Sequence, residues 1–356
     1  MDGFDLKIDP IWKKKDIVGI DIGTRSVKIV QLKKAGRNTK LVGYGQVAVP
    51  ENYVIEGIVA EPEKLAKLLT EYFKNGVWGK INAKRVCTSL PESRIFSRTI
   101  SLPHLSNKDL EDAVNWEAGQ TIPMAMTDLY IDHQVIGPSE DDPKNDELIY
   151  AAAPKAIVNS YIQLFSIMGL QLESIETSLT AIIRAIIPKK NMNQVTLVID
   201  IGGQTTNLAV FDRVIRVTGS TLIGGDHLTY RISQALGISE KDAEKVKKEK
   251  NEKDKDNIRK SVESEIGEIV KEAQRIIKYY EDKNKKSHKV EKVLICGGSA
   301  GLVTLDEILA EKLGIPTVVG NPWENISVYP IKTVPREDVP AFSNAVGLAL
   351  LGVKDD

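Results

Sequence analysis

Two stretches of this sequence place an aspartate at the end of an apolar run, a glycine two residues later and hydroxyl side chains just beyond. The first is Asp21-Ile-Gly23-Thr24-Arg25-Ser26; the second is Asp200-Ile-Gly202-Gly203-Gln204-Thr205-Thr206. Glycine lets backbone amides turn toward a phosphate, and the hydroxyls of Thr24, Ser26, Thr205 and Thr206 can donate to its oxygens. A carboxylate such as Asp21 or Asp200 can hold a hydrated divalent cation, Mg²⁺ for example. One such hairpin is also an ordinary tight turn. Two copies, each heading one half of the chain, point to a pair of phosphate grips. A third cluster, Cys296-Gly297-Gly298-Ser299-Ala300-Gly301, offers bare backbone on which a flat ring can lie, and equally suits a close strand-to-helix turn.

Strands and turns must bring these residues together. From Ile17 the pattern gives a strand, a glycine turn, a second strand over 27–32 and a third over 41–49, an antiparallel meander. Leu65, Leu68, Leu69, Tyr72 and Phe73 recur at helical spacing between Pro62 and Asn75-Gly76, which predicts a helix over 61–73. A strand over 83–90 leads into a strand at 94–102, a helix at 107–118, a strand at 129–136 and an acidic loop at 139–147. Then come a strand at 148–153, a helix at 155–168, a strand at 171–175 and a helix at 179–187. The Pro188-Lys-Lys-Asn-Met-Asn segment breaks the pattern and marks a domain boundary. Beyond it the opening repeats, with strands at 195–200, 206–211 and 214–218. A strand at 292–295, a helix at 303–313 and a nearly apolar helix at 341–351 complete the chain.

Composition excludes several classes. With 356 residues, 42% hydrophobic and 27% charged, the chain can bury two domain cores and is neither disordered nor fibrous. Its 48 basic and 49 acidic residues balance, so no global field recruits nucleic acid. The lysine-rich 241–292 region holds 17 Lys/Arg against 13 Asp/Glu, and its Ile258, Val262, Ile266, Ile269, Val270, Ile276 and Ile277 recur at helical spacing. These are solvated helices. Cys87 and Cys296 sit in separate apolar runs, which suggests a reducing compartment. Residues 1–16 read as a polar leader with no secretory core, and no run is long enough to span a membrane, so a cytoplasmic location is expected.

In order, Asp21-x-Gly, Asp200-x-Gly-Gly-x-Thr-Thr, Gly297-Gly298-Ser299 and the closing Ala-x-Gly-Leu helix resemble the phosphate, adenosine and connecting motifs of the actin/DnaK/sugar-kinase ATPase superfamily. Within it, VGIDIGTRSVKIVQL, VTLVIDIGGQTTNLAVF, IGGDHLTYRISQALGISEKDAEKVK and NPWENISV make the chain similar to the PilM family, the type IV pilus assembly relatives of FtsA. The resemblance covers 17–352. It implies an α/β chain with the actin-like ATPase fold: two ribonuclease-H-like domains and an FtsA-type extra subdomain in the first half. The first domain would take 17–92 and 171–190, the extra subdomain 93–170, and the second domain 191–356, with a smaller helical part at about 224–290.

The same resemblance implies ATP or ADP with Mg²⁺ in the cleft between domains. Lys28, seven residues after Asp21, stands where actin carries a lysine that meets the β-phosphate. Glu176 stands where a chaperone glutamate assists the attacking water or the cation. Glu244 and Lys247 stand where relatives reach the ribose or base. Sugar phosphorylation is disfavoured, since no catalytic aspartate is recognised between Ser89 and Glu173. A DnaK-type chaperone would extend well past Asp356, and FtsA would add a terminal amphipathic membrane helix. The implied partner is a short cytoplasmic peptide of a PilN-like bitopic membrane protein, docked near 94–170, with other pilus proteins or self-association also open. Membrane association would then come only through partners, and hydrolysis would be slow at most. The alternative is a turnover ATPase or small-molecule kinase of the same superfamily.

Overall fold

The computed structural model describes residues 16–36, 38–139, 142–248, 254–284, 288–332 and 334–353. The leader, apart from Asp16, lies outside them.

The first half opens with β1 (Ile17–Ile22), β2 (Ser26–Ala35) and β3 (Asn38–Ala48), followed by helix α1 (Pro62–Asn75) and strand β4 (Arg85–Leu90). The chain then leaves the sheet for β5 (Phe96–Pro103), α2 (Asn107–Thr121), β6 (Leu129–Pro138) and β7 (Asn145–Pro154). It returns through α3 (Lys155–Ile167), β8 (Gln171–Thr177) and α4 (Ser178–Ile186). In the second half come β9 (Thr196–Ile201), β10 (Thr206–Asp212) and β11 (Val214–Thr221). Helices α5 (Gly225–Leu236), α6 (Glu240–Lys248), α7 (Lys255–Ser261) and α8 (Glu263–Lys283) follow. The last elements are β12 (Lys292–Cys296), α9 (Leu305–Leu313), β13 (Thr317–Val319), β14 (Ile326–Ser327) and α10 (Ser343–Ala349).

The two principal sheets have the same order. The first runs β8-β4-β1-β2-β3, with β14 at its outer edge; the second runs β11-β10-β9-β12-β13. In each, the first three strands are antiparallel and the last two run parallel to the first. This shared third-second-first-fourth-fifth arrangement is the ribonuclease-H-like topology that the resemblance implies. Each sheet is buried on both faces, which explains the near-continuous apolar runs Ile17–Ile22 and Thr196–Ile201.

Helices α1 and α3 cover one face of the first sheet, with Leu65, Leu69, Tyr161 and Phe165 against Val18, Ile20 and Ile29. On the second sheet, α5 to α9 pack into one core with Leu197, Ile199, Leu208 and Val210. Between the sheets lie α4 and α10. Helix α4 packs Leu179, Ile182 and Ile183 on the second sheet, while α10 packs Ala345, Val346 and Ala349 on the first. The two helices touch so closely that a Cβ on Gly347 would lie 1.8 Å from the Ala181 carbonyl oxygen. On its other side a Cβ on Gly19 would meet the Ala345 carbonyl oxygen at 2.3 Å.

The inserted sheet, β5-β7-β6, has its own core of Leu110, Val114 and Ala118 from α2 against Leu148, Tyr150 and Ala152. Helix α3, placed with this insert by the sequence pattern, instead joins the core of the first sheet, because its Ile157, Tyr161 and Leu164 face α1. Two further boundaries move. Helix α9 begins at Leu305 rather than 303, since Thr304 takes a left-handed φ of 69° that a helix cannot continue. The closing apolar segment is a short α-helix between two 3₁₀ turns, with Pro340 inside the first.

Candidate functional site

The pairing register of the two hairpins builds the centre of the site. In an antiparallel pair, residues directly opposite share a face. Asp21 pairs with Lys28, and Asp200 pairs with Asn207 in the corresponding hairpin. Both pairs line one cleft between the halves, together with Ser89, Leu90, Pro91, Ser178, Gly202, Gly297, Gly298 and Asn344, around about 620 Å³ of open space.

Charges in the cleft are incompletely balanced. Lys28 Nζ is 3.5 Å from Asp21 Oδ2, and Asn344 Nδ2 donates to Asp21 Oδ1 at 2.9 Å and to Ser89 Oγ at 2.8 Å. Across the cleft, burial pushes Asp200 up to about 6 and the charge of Asp21 adds to it, against the pull of Lys28, the Cys296 thiol and the Asn207 amide. The Asn207 Oδ1 atom is buried and has no hydrogen-bond partner. Two carboxylates and an unpaired amide oxygen form an all-oxygen set suited to a hard cation. No group of three or more His, Cys, Asp or Glu that could hold a metal occurs among the described residues. The set therefore fits a Mg²⁺ ion that keeps most of its water or shares phosphate oxygens, and does not fit an all-protein cage.

The hairpin tips close over this centre. Gly23 N donates to the Ser26 carbonyl at 3.1 Å, and Gly202 N to the Thr205 carbonyl at 3.0 Å, so both turns have the same form. A Cβ on Gly203 would lie 3.2 Å from Arg25 Cγ and 3.6 Å from Thr24 Oγ1, which puts the two tips in contact. Arg25 bridges to Asp226 at the start of α5, with guanidinium contacts of 3.0 to 3.2 Å. Ser26 Oγ accepts from Gln46 Nε2 at 3.3 Å, at the outer end of the hairpin.

On the second half, Lys247 is 2% exposed and makes a polar cluster with Ser299. Its Nζ donates to Thr229 Oγ1 at 2.9 Å, the Gly225 carbonyl at 3.2 Å and Ser299 Oγ at 3.3 Å, and is 2.6 Å from Glu244 Oε2. Burial lowers the Lys247 pKa against the opposing pull of Glu244. For Glu244, burial pushes upward, but Lys247 and Thr229 outweigh it and the net direction is down. Glu244, Lys247 and Ser299 thus form one polar cluster, joined through Ser299 to the Gly297-Gly298 turn.

Two candidates are not brought to the cleft in usable form. Thr206 is fully buried and spends its hydroxyl on the Ile223 carbonyl at 2.7 Å. Glu176 is held on both oxygens by Arg184, at 2.6 Å each, and Arg184 also donates to the Gly347 carbonyl at 2.9 Å. A carboxylate paired at both oxygens with a guanidinium is a weaker base for a water. Asn207, Asn344, Ser89 and Ser178 are among the cleft residues that the sequence did not single out. Asn207 carried a signal, since it follows Asp200 by the same seven residues that separate Lys28 from Asp21.

Comparison with known proteins agrees with this architecture. The structure of a PilM–PilN type IV pilus biogenesis complex matches with a TM-score of 0.81 at 24% identity, covering 96% of this chain and 100% of that one. The ethanolamine utilization protein EutJ of Carboxydothermus hydrogenoformans matches at 0.55 and 18% identity, over 94% of this chain and 88% of that one. MreB5 of Spiroplasma citri bound to ADP matches at 0.54 and 14% identity, over 95% and 96%. These likenesses establish the actin-like ATPase fold. The family model for type IV pilus assembly protein PilM matches residues 19–353, nearly the whole chain. The chain belongs to the PilM family of type IV pilus assembly proteins.

Proposed function

We propose that this protein binds ATP or ADP with Mg²⁺ between its two halves and uses it as a conformational ligand while holding a PilN-like membrane partner. The carrying observation is the facing pair of hairpins, which set Asp21, Lys28, Asp200 and the unpaired Asn207 oxygen around one cleft. A solved relative bound to ADP and another solved with PilN support the two halves of the reading. Phosphate charge would meet Lys28 and the hairpin amides, and the cation would offset the buried carboxylates. The adenosine would lie along Gly297-Gly298 toward Glu244 and Lys247. Turnover is disfavoured as the main role because Arg184 occupies Glu176.

Calorimetry with Mg-ATP and Mg-ADP tests the cleft. Binding should be lost or weakened at least tenfold in Asp200→Ala, and stability of the wild type should rise by about 2.7 kcal/mol at a hundredfold excess over Kd. Unchanged affinity in both Asp200→Ala and Asp21→Ala would remove the cleft assignment.

For the partner, the inserted sheet is the favoured surface. Its α2 face is filled, whereas the opposite face carries Thr99, Ile149 and Gln134 in one row of the register. The insert also reaches the second half through an ion pair between Glu147 and Arg216, which offers a path between peptide and cleft. No helix among the described residues is long and apolar enough to cross a membrane. An extended tail with a few apolar anchors suits such a face. Fluorescence titration with a labelled tail peptide should show weaker binding for Ile149→Asp, and tighter binding with Mg-ATP by the factor with which peptide tightens Mg-ATP. Undiminished peptide binding in Ile149→Asp would place the surface elsewhere.

A further inference from the structure

We infer that Ser178 and the N-terminus of α4 form a subsite for the terminal phosphoryl group of the bound nucleotide, so that this helix distinguishes a triphosphate from a diphosphate. The inference rests on the nucleotide reading above.

Ser178 is the first residue of α4, a nine-residue helix. The residue is 6% exposed and lines the cleft, and its Oγ has no hydrogen-bond partner. A buried hydroxyl left unpaired costs free energy that a ligand oxygen can recover. The neighbouring cap residue does not compete for this role. Thr177 Oγ1 accepts from Thr180 N at 3.2 Å and shares a 2.9 Å bond with Thr180 Oγ1, so its hydroxyl is used locally. The first amides of a helix have no intrahelical acceptor and carry the positive end of its dipole, which favours an anion.

Two acidic side chains beside this turn are already engaged. Glu176, two residues earlier, is gripped by Arg184. Glu92, whose side chain meets Thr177 and Ser97, is buried and raised to about 7, so it is roughly half neutral at physiological pH. The direction of the cleft then selects which phosphate is met. Gly297 and Gly298 line it on the second half and continue into Ser299 and Lys247, while Ser89, Pro91 and Ser178 line it on the first. A phosphate chain that starts from an adenosine on Gly297-Gly298 and passes Asp200 and Lys28 ends at Ser178.

Helix α4 can act on that contact. It packs on the second sheet through Leu179 and Ile182, and on α10 at the Ala181–Gly347 crossing. An anion held at its first turn biases a helix that touches both halves, which gives the outermost phosphate leverage over their closure.

The test is calorimetry of wild type, Ser178→Ala and Ser178→Thr with the Mg²⁺ complexes of ADP and of the non-hydrolysable triphosphate AMP-PNP. Loss of a hydrogen bond to a charged oxygen should weaken AMP-PNP binding by roughly tenfold or more in Ser178→Ala. ADP binding should change less than twofold, and Ser178→Thr should keep the wild-type ratio of the two affinities. Thermal melting of each variant checks that it is folded. Equal losses for both nucleotides, or no loss for either, would overturn the subsite. Failure of the wild type to bind either nucleotide would instead remove the cleft reading, and the subsite with it.

Discussion

Gly347→Ala should destabilise the protein by at least about 3 kcal/mol, enough to leave a marginal domain partly unfolded. The added Cβ would lie 1.8 Å from the Ala181 carbonyl oxygen and 2.4 Å from its carbonyl carbon. Both are backbone atoms inside α4, so no side-chain rotation relieves the overlap and the two helices must separate. Separation would open the contacts of α4 with Val198 and Phe211 and those of α10 with Tyr44, so the loss spreads over both sheets. Urea denaturation followed by circular dichroism measures it. Gly267→Ala serves as the control: it lies within α8 with nothing within 4 Å of the new atom, and should stabilise by up to about 1 kcal/mol. If Gly347→Ala unfolds at the wild-type urea midpoint, the tight crossing is absent in solution.

The second large effect concerns pH. Burial raises Glu92 from an ordinary 4.5 to about 7, against weaker opposing hydrogen bonds from Thr177 and Ser97. The folded state thus holds this proton more tightly than the unfolded chain does. Below about pH 4.5 both states are protonated and the contribution to stability is fully present. As pH rises from there toward 7, only the unfolded chain ionises and stability falls; above 7 the loss is complete, at about 3 kcal/mol. Glu92→Gln removes the titration. Its stability relative to wild type should therefore be near constant in acid and should improve progressively between pH 4.5 and 7. Asp200 is raised in the same sense, but it is present in both proteins and cancels in the difference. Parallel stability curves for the two proteins across this range would show that Glu92 is ionised in the fold.

What the sequence made legible was whatever repeats at short range. The Asp-x-Gly echo located both hairpins, and Lys28, picked out by its offset from Asp21, lies directly opposite it in the strand register. The same logic reaches Asn207, where an amide in the position of a lysine hid the equivalence. Long-range contacts were not legible. Asn344 reaches Asp21 across 323 positions, and its role depends on α10 lying against β1. Glu176 reads as a free carboxylate until Arg184, eight residues on and past the strand-to-helix turn, folds back onto it. Thr206 has the right residue type at the right hairpin, but its hydroxyl turns to the Ile223 carbonyl. The insert announced its strands by alternation, whereas the allegiance of α3 depended on which neighbour offered it an apolar face.

The bridge between Arg25 and Asp226 bears on how quickly the cleft exchanges its contents. The pair ties the first hairpin tip to the start of α5, yet the arginine side chain is 58% exposed and the aspartate 33%. An ion pair that open to water holds by only about 0.2–1 kcal/mol and weakens with salt. It therefore lengthens the dwell time of anything beneath it by a factor of about five at most, and less at physiological ionic strength. The lid is a brake on exchange rather than a lock. Any long-lived closed state therefore has to be held by more than this bridge, through contacts such as Glu147 with Arg216 and the α4–α10 crossing or through what binds in the cleft.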